Sequence, residues 1–157
     1  MHRRSPLAVA IALMAALIVA LPLGGIALGG DQRVLKTDLT GAEEAPGPGD
    51  PDATGSALIK VPRVNSNARL CFKLDWTGID GTVTAAHIHR GAAGVAGPVV
   101  VPLFVSQSLE GTDKARGCLR GVDSDLTKDI RQNTTDYYVN VHSTVFPPGA
   151  IRGQLGD

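Results

Sequence analysis

The chain has 157 residues, with 15 basic and 15 acidic side chains, two cysteines and an aromatic content of 4%. The lysines and arginines form no run and are not interleaved with aromatic residues, so we expect no nucleic-acid partner. Apolar residues form a long segment only near the N-terminus, and we therefore expect no membrane span after that segment is removed.

Residues 1–30 have the pattern of a secretory signal peptide. Arg3 and Arg4 precede an apolar run over residues 7–21, and small residues follow as far as Gly30. The run has about 15 residues, fewer than the roughly 20 that a membrane-spanning helix needs. We therefore predict cleavage near residues 27–29 and a secreted or extracytoplasmic protein. An uncleaved N-terminal membrane anchor is the alternative.

Residues 31–157 are predicted to form a single domain, which is long enough for one hydrophobic core. This segment carries 13 basic and 15 acidic side chains, so its net charge is close to −2. Alternating or short apolar runs between glycine and proline turns predict strands at residues 34–39, 55–61, 68–76, 82–89, 99–105, 115–122, 137–142 and 150–155. Glu43 and Glu44 begin a proline-rich loop, where we expect solvated charges.

The apolar period changes over residues 123–133, where Leu126 and Ile130 are four positions apart. This spacing predicts one to two turns of helix, with Ser124 as the capping residue. The complete pattern predicts an all-β fold, an antiparallel, Greek-key-like β-sandwich or flattened barrel of about eight strands with one short helix.

The two cysteines both lie on the polar side of predicted strands. Cys71 alternates with apolar residues and shares its face with Lys73, and Cys118 lies opposite Leu119. In an exported chain, two outward cysteines on adjacent strands are expected to form a disulfide across one sheet. Two unpaired thiols are the alternative.

Three histidines of the predicted domain lie in two of its strands. His87 and His89 are two positions apart, so their side chains point to the same face of a strand, with Cα atoms about 6.5–7 Å apart, and both imidazoles can reach a common point. His142 ends a later strand and joins them if the two strands are neighbours. Because Ala86 and Ile88 are expected to face the core, the histidines are expected to face away from it.

Two interpretations of these histidines stay open. In the first, they are hydrogen-bonding groups that fix the glycine-rich loop at residues 91–98 to the sheet. In the second, His87, His89 and His142 bind one metal ion. Three neutral imidazoles without a neighbouring carboxylate or thiolate favour copper(II) or zinc.

Several stretches resemble the CHRD (chordin-type) domain family over nearly the whole predicted domain. The matching motifs are LTGAEEAP at 39–46, TAAHIHRG at 84–91, GPVV at 97–100, YVNVH at 138–142 and PGAIRGQL at 148–155. The family usually has an acidic residue where this chain has Ala150, so a role for that carboxylate does not transfer. The resemblance implies an exported β domain, found alone in microbial proteins and repeated in an animal extracellular protein that binds growth factors.

The order of His87, His89, His142 and Arg152 is also similar to that of copper-site elements in copper/zinc superoxide dismutase. The remaining histidine, His2, lies in the predicted signal peptide, so a second, zinc-binding site has no ligands. This similarity implies a common architecture, and we do not expect dismutase activity from it.

The sequence contains no Gly-x-Ser-x-Gly elbow and no phosphate-binding Walker loop, and we expect no catalysis. The leading hypothesis is therefore a secreted or cell-surface binding or structural module with an unidentified extracellular protein or ligand as partner. We expect the partner or an anion to contact Arg152, Arg90, Asn140 and Tyr138. The alternative hypothesis is a metalloprotein that holds one copper or zinc ion through these histidines. A version of this alternative adds superoxide-dismutase-like chemistry at the metal.

Overall fold

Alternating apolar side chains determine which face of each strand is buried. In the third strand, Leu70, Phe72, Leu74 and Trp76 are buried, and the residues between them are exposed or partly exposed. The computed structural model describes residues 32–63, 69–105 and 109–156. The predicted signal peptide and the first position of the predicted third strand, residue 68, lie outside the described residues.

Eight antiparallel strands form one sheet, which confirms the predicted all-β fold. In chain order the strands are β1 (Arg33–Thr40), β2 (Thr54–Val61), β3 (Arg69–Thr77), β4 (Val83–Arg90), β5 (Val99–Phe104), β6 (Lys114–Arg120), β7 (Tyr137–Ser143) and β8 (Ile151–Gln154). Short 3-10 turns occupy Gly41–Glu43 and Thr134–Asp136. Each observed strand lies within two residues of its predicted bounds.

The strand order is β5-β4-β7-β8-β1-β2-β3-β6, so the chain crosses repeatedly between two halves of the sheet. The halves meet at a narrow junction, where Thr40 of β1 pairs with Arg152 of β8. They fold over each other around one core, and the rings of Phe72 and Phe104, from opposite halves, have centroids 6.4 Å apart. The result is a flattened barrel with a mainly aliphatic interior.

The predicted helix is present as α1 (Ser124–Gln132), but its capping residue differs from the prediction. The side chain of Asp123 accepts a hydrogen bond of 2.8 Å from the Leu126 N–H, which makes Asp123 the N-cap. Ser124 is already the first helical residue and therefore cannot occupy the extended cap position. Ile130 is fully buried and anchors the helix to the core.

Cys71 and Cys118 lie opposite each other in the register between β3 and β6 and form the predicted disulfide. The bond joins β6, a strand at the end of the sheet order, to its partner strand. Within the part of the chain that the structure describes, no helix has the length and apolar character needed to cross a membrane.

Candidate metal centre

The three histidines meet on the outer face of the half-sheet that contains β4 and β7. Ala86 and Ile88 are fully buried on the core side, so His87 and His89 point to the opposite face. Strand β7 is the neighbour of β4, and this pairing brings His142 to the same place. One ring nitrogen from each histidine lies within 4.8 Å of the other two. Local irregularities in the β4–β5 register lie beside both His87 and His89, and such bulges commonly re-aim side chains.

Hydrogen bonds to carbonyl groups determine the tautomers of two of these rings. Nδ1 of His89 lies 2.8 Å from the Gly97 carbonyl oxygen, and Nδ1 of His142 lies 2.9 Å from the Pro147 carbonyl oxygen. A carbonyl oxygen only accepts, so each Nδ1 carries the proton and each Nε2 keeps a free lone pair. Such contacts are the ones that orient metal-binding imidazoles in proteins.

The two lone pairs have different surroundings. Nε2 of His142 is 2.9 Å from Nδ1 of His87, which donates to it when no metal is bound. Nε2 of His89 is buried and has no hydrogen-bond partner among the described residues. A buried nitrogen without a partner is uncommon, because it loses its hydration without compensation.

All three imidazoles favour the neutral form that metal ligation requires. Burial lowers the pKa of His87 to about 4, and repulsion from His142 and His89 adds to the effect. Burial also lowers the pKa of His89 and that of His142, against the raising effect of their bonds to Gly97 and Pro147. The rings are therefore neutral at pH 7, and metal binding does not have to displace protons from imidazolium groups.

A stack of side chains connects this group to the loop at residues 91–98. The ring of Tyr138 lies parallel to that of His89, with centroids 4.8 Å apart, and the guanidinium carbon of Arg152 lies 3.4 Å from the centre of the Tyr138 ring. The Gly97 N–H donates to the Tyr138 hydroxyl at 3.1 Å. A side chain at Gly97 would collide with the Arg90 carbonyl, because an added Cβ would lie 1.7 Å from its oxygen.

Arg152 holds the same loop from below. Its guanidinium donates to the carbonyl oxygens of Val95 and Ala92, each at 2.9 Å, and the residue is only 1% exposed. The arrangement favours a loop-holding role over the anion contact that the sequence suggested. Gln154 adds a further bond, from its Nε2 to the Gly91 carbonyl oxygen at 2.8 Å.

The residues expected to contact a partner or an anion have different surroundings. Tyr138 and Asn140 are 3% and 2% exposed, so both are covered in this structure. Arg90 is exposed, but it donates to Asp129 of α1 at 2.7 Å and to the Tyr137 hydroxyl at 2.6 Å. Arg90 therefore ties β4 to the helix, away from the histidines.

Comparison with protein families gives a match to the CHRD domain over residues 35–155. The chain belongs to the CHRD domain family. The matched range includes the three histidines, the loop above them and Arg152. No curated protein and no solved structure matched the chain in the corresponding comparisons.

The carboxylate of Glu44, which the loop sequence predicts to be solvated, is partly buried in this CHRD domain. Glu43 is exposed, but Glu44 is partly buried, and its Oε1 is buried without a hydrogen-bond partner among the described residues. A Cβ at Gly149 would lie 2.4 Å from Glu44 Oε2, so glycine is needed for this close approach. The prediction of a solvated Glu44 was wrong because a loop's sequence does not reveal which strand it folds against. The one sequence feature that pointed to a role for Glu44 was its position within the LTGAEEAP motif at residues 39–46.

Burial raises the pKa of Glu44 to about 7, although Arg152, the backbone of Ala45 and Asn140 act in the opposite direction. The ordinary value is 4.5, so the folded state binds this proton more tightly than the unfolded state does. The stability that comes from the protonated carboxyl is complete below about pH 4.5 and is lost as the pH rises through about 7.

Glu44→Gln should therefore stabilise the CHRD domain at pH 8, by on the order of 1 kcal/mol, and this gain should disappear toward pH 4.5. The amide has the shape of the protonated carboxyl but never becomes charged. Urea unfolding of parent and variant across this pH range measures the difference. The exposed neighbour Glu43→Gln is the control, and an equal gain at every pH would contradict the buried charge.

Proposed function

We propose that this chain is an exported, non-catalytic CHRD-domain module that binds one transition-metal ion, copper(II) or zinc, through His87, His89 and His142. The observation that carries the proposal is the convergence of three imidazole nitrogens within 4.8 Å, together with the buried, unpartnered Nε2 of His89. A metal ion at this point would satisfy that nitrogen and would also use the lone pair of His142.

The distances support a metal of this kind. Imidazole nitrogens bind zinc at about 2.0–2.1 Å, so two ligands at a right angle lie about 2.9 Å apart and two at a tetrahedral angle about 3.4 Å apart. His87 Nδ1 and His142 Nε2 are 2.9 Å apart in the metal-free arrangement. An ion between them would require His87 to move its proton from Nδ1 to Nε2. A right angle between nitrogen ligands is typical of copper(II), and a small separation of the two rings would suit zinc.

The hydrogen bonds of Arg152 support metal binding without catalysis. This guanidinium stacks beside the histidine group through Tyr138, but its donors are directed to the loop carbonyls of Ala92 and Val95. It is therefore a structural element and is not directed at a substrate bound to the metal.

Export is supported by two features. Residues 1–30 have the pattern of a signal peptide, and Cys71 and Cys118 form a disulfide, which persists in oxidising compartments. N-terminal sequencing of the protein recovered outside the cytoplasm is the direct test. A start near residues 27–31 would agree with cleavage, and an intact N-terminus would indicate the membrane-anchor alternative.

The test of metal binding uses asparagine in place of the ligand histidines. In His89→Asn and His142→Asn, the side-chain amide can keep a donor close to the former Nδ1, but Nε2 is absent. We expect the parent to bind one equivalent of Zn²⁺ or Cu²⁺ in a calorimetric titration, and each variant to bind about 100-fold more weakly or not at all. Elemental analysis of the dialysed proteins checks the stoichiometry.

The matched control is Tyr138→Phe, which keeps the ring against His89 but removes the hydroxyl that receives the Gly97 N–H. It loosens the loop without removing a ligand and should keep one equivalent of metal. If neither metal binds the parent specifically, or if the asparagine variants bind as well as the parent does, the histidines are hydrogen-bonding groups under the loop and the metal proposal is wrong.

A further inference from the structure

The outer surface of β2, β3 and β6 gathers basic side chains that the histidine centre does not use. We call this the basic face and define it by Lys60, Arg69, Lys73, Arg116 and Arg120. All five are exposed, and each occupies an outward position of its strand. The domain is slightly acidic as a whole, with 13 basic and 15 acidic residues after residue 30, so this clustering is a local segregation of charge.

The strand register places like charges directly opposite each other. Arg69 faces Arg120, and Lys73 faces Arg116, on either side of the pair formed by Cys71 and Cys118. The Cα atoms of the cysteines are 4.0 Å apart, as in the narrow type of antiparallel pair, and residues two positions away belong to the same type. Like charges opposite each other in a sheet are destabilising. The basic face is therefore a feature that folding alone does not favour.

Few acidic groups compensate these charges. Lys73 donates to Asp75 Oδ2 at 2.7 Å, and both side chains are largely exposed to solvent. Within residues 32–63, 69–105 and 109–156, no ion pair involves Lys60, Arg69, Arg116 or Arg120. The guanidinium and ammonium groups of these residues are available to anions from solution.

A shallow cavity of about 510 Å³ lies within the basic face. Leu58, Phe72 and the disulfide contribute its apolar floor, and Lys60, Lys73 and Arg116 contribute its charged sides. Gly117 lies opposite Phe72 in the β3–β6 register, and the Phe72 ring packs closely against it, because a Cβ there would lie 2.9 Å from Phe72 Cε1. An apolar floor between cationic side chains suits a ring with C–H faces and acidic substituents.

We infer that the basic face binds an anionic polysaccharide, through its sulfate or carboxylate groups. Arginine pairs with such groups through two parallel hydrogen bonds, and the apolar floor receives the face of a sugar ring. A nucleic acid fits less well, because single-stranded binding relies on exposed aromatic rings and Phe72 is inward-facing and only 7% exposed. This surface lies on the half of the sheet opposite the histidines, so its function does not depend on metal binding.

The experiment measures binding of dextran sulfate, polygalacturonate and neutral dextran to the full-length chain, with EDTA present to exclude metal effects. The parent should bind at least one of the two acidic polymers, should not bind neutral dextran, and should lose about tenfold in affinity between about 50 and about 300 mM NaCl. Comparing sulfate with carboxylate polymers identifies the preferred acidic group.

Variants then locate the site. Arg69→Gln/Arg116→Gln/Arg120→Gln should weaken binding about tenfold at low salt, whereas Arg69→Lys/Arg116→Lys/Arg120→Lys keeps the charges and should retain most of it. Lys128→Gln, on the exposed side of α1, is the control for overall charge and should bind like the parent. The triple glutamine variant should also melt at a higher temperature, because it relieves the opposed charges.

Four outcomes would overturn the inference. They are absence of binding to both acidic polymers at low salt, affinity unaffected by salt, equal affinity in the triple glutamine variant, and DNA bound as tightly as the polysaccharides. The salt dependence of the parent tests the proposal even if the triple variant does not fold.

Discussion

Replacing Cys71 and Cys118 with alanine should lower the free energy of unfolding by about 4 kcal/mol. The cysteines are 47 positions apart, so the disulfide closes a long loop and removes much of the conformational freedom of the unfolded chain. Its loss should also loosen β6, which ends the strand order and pairs with β3. The measurement is urea unfolding of the double variant beside the parent.

Reduction of the parent offers an independent check on the same bond. A phosphine reductant should lower the melting temperature of the parent and leave that of the double alanine variant unchanged. Hydrogen exchange should accelerate first at amides of β6 (Lys114–Arg120). An unfolding midpoint that is the same in parent, reduced parent and variant would show that the cross-link does not stabilise this domain.

Arg152→Met should be the most destabilising single substitution near the histidines, at about 2–4 kcal/mol. Arg152 is 1% exposed and donates to the carbonyl oxygens of Ala92 and Val95. Methionine keeps much of the apolar stem but leaves both oxygens without their donor. It also removes the cation that acts on buried Glu44, whose pKa should then rise further.

The control for this substitution is Arg131→Met. Arg131 is partly exposed and donates to one carbonyl oxygen, that of Val61, at 2.9 Å, so its loss should cost less than about 1 kcal/mol. Arg152→Lys should recover only part of the loss, because an ammonium lacks the planar fork that reaches two carbonyls. Equal urea midpoints for Arg152→Met and the parent would exclude the clamping role.

Strand positions and facing were predictable because they depend on local order. Alternation assigned Leu70, Phe72 and Leu74 to the core and Cys71 to the outer surface, and the structure has this arrangement. The disulfide followed from the same parity, and the β6 pairing confirmed it. The same alternation places Lys73 and the arginines of β6 on the face of the cysteines. It therefore predicts the basic face, although we did not make that prediction from the sequence.

Burial of the polar side chains around the histidines was not predictable in this way. Tyr138 and Asn140 alternate with the core residues of β7 and are nevertheless buried. The loop at residues 91–98 folds over Tyr138, whose hydroxyl receives the Gly97 N–H. Glu44 becomes buried because its loop packs against the turn at Gly149, more than 100 positions away. Local sequence carries no information about such contacts.

The sequence by itself therefore determined the strands, their inward faces, the disulfide and the common face of His87 and His89, because each follows from a period of two and from burial of apolar side chains. Tertiary structure decided that β7 lies beside β4, that Arg152 serves the loop and that Glu44 is enclosed. Those outcomes depend on which distant strands become neighbours, and that choice is made by packing of the whole domain around one core.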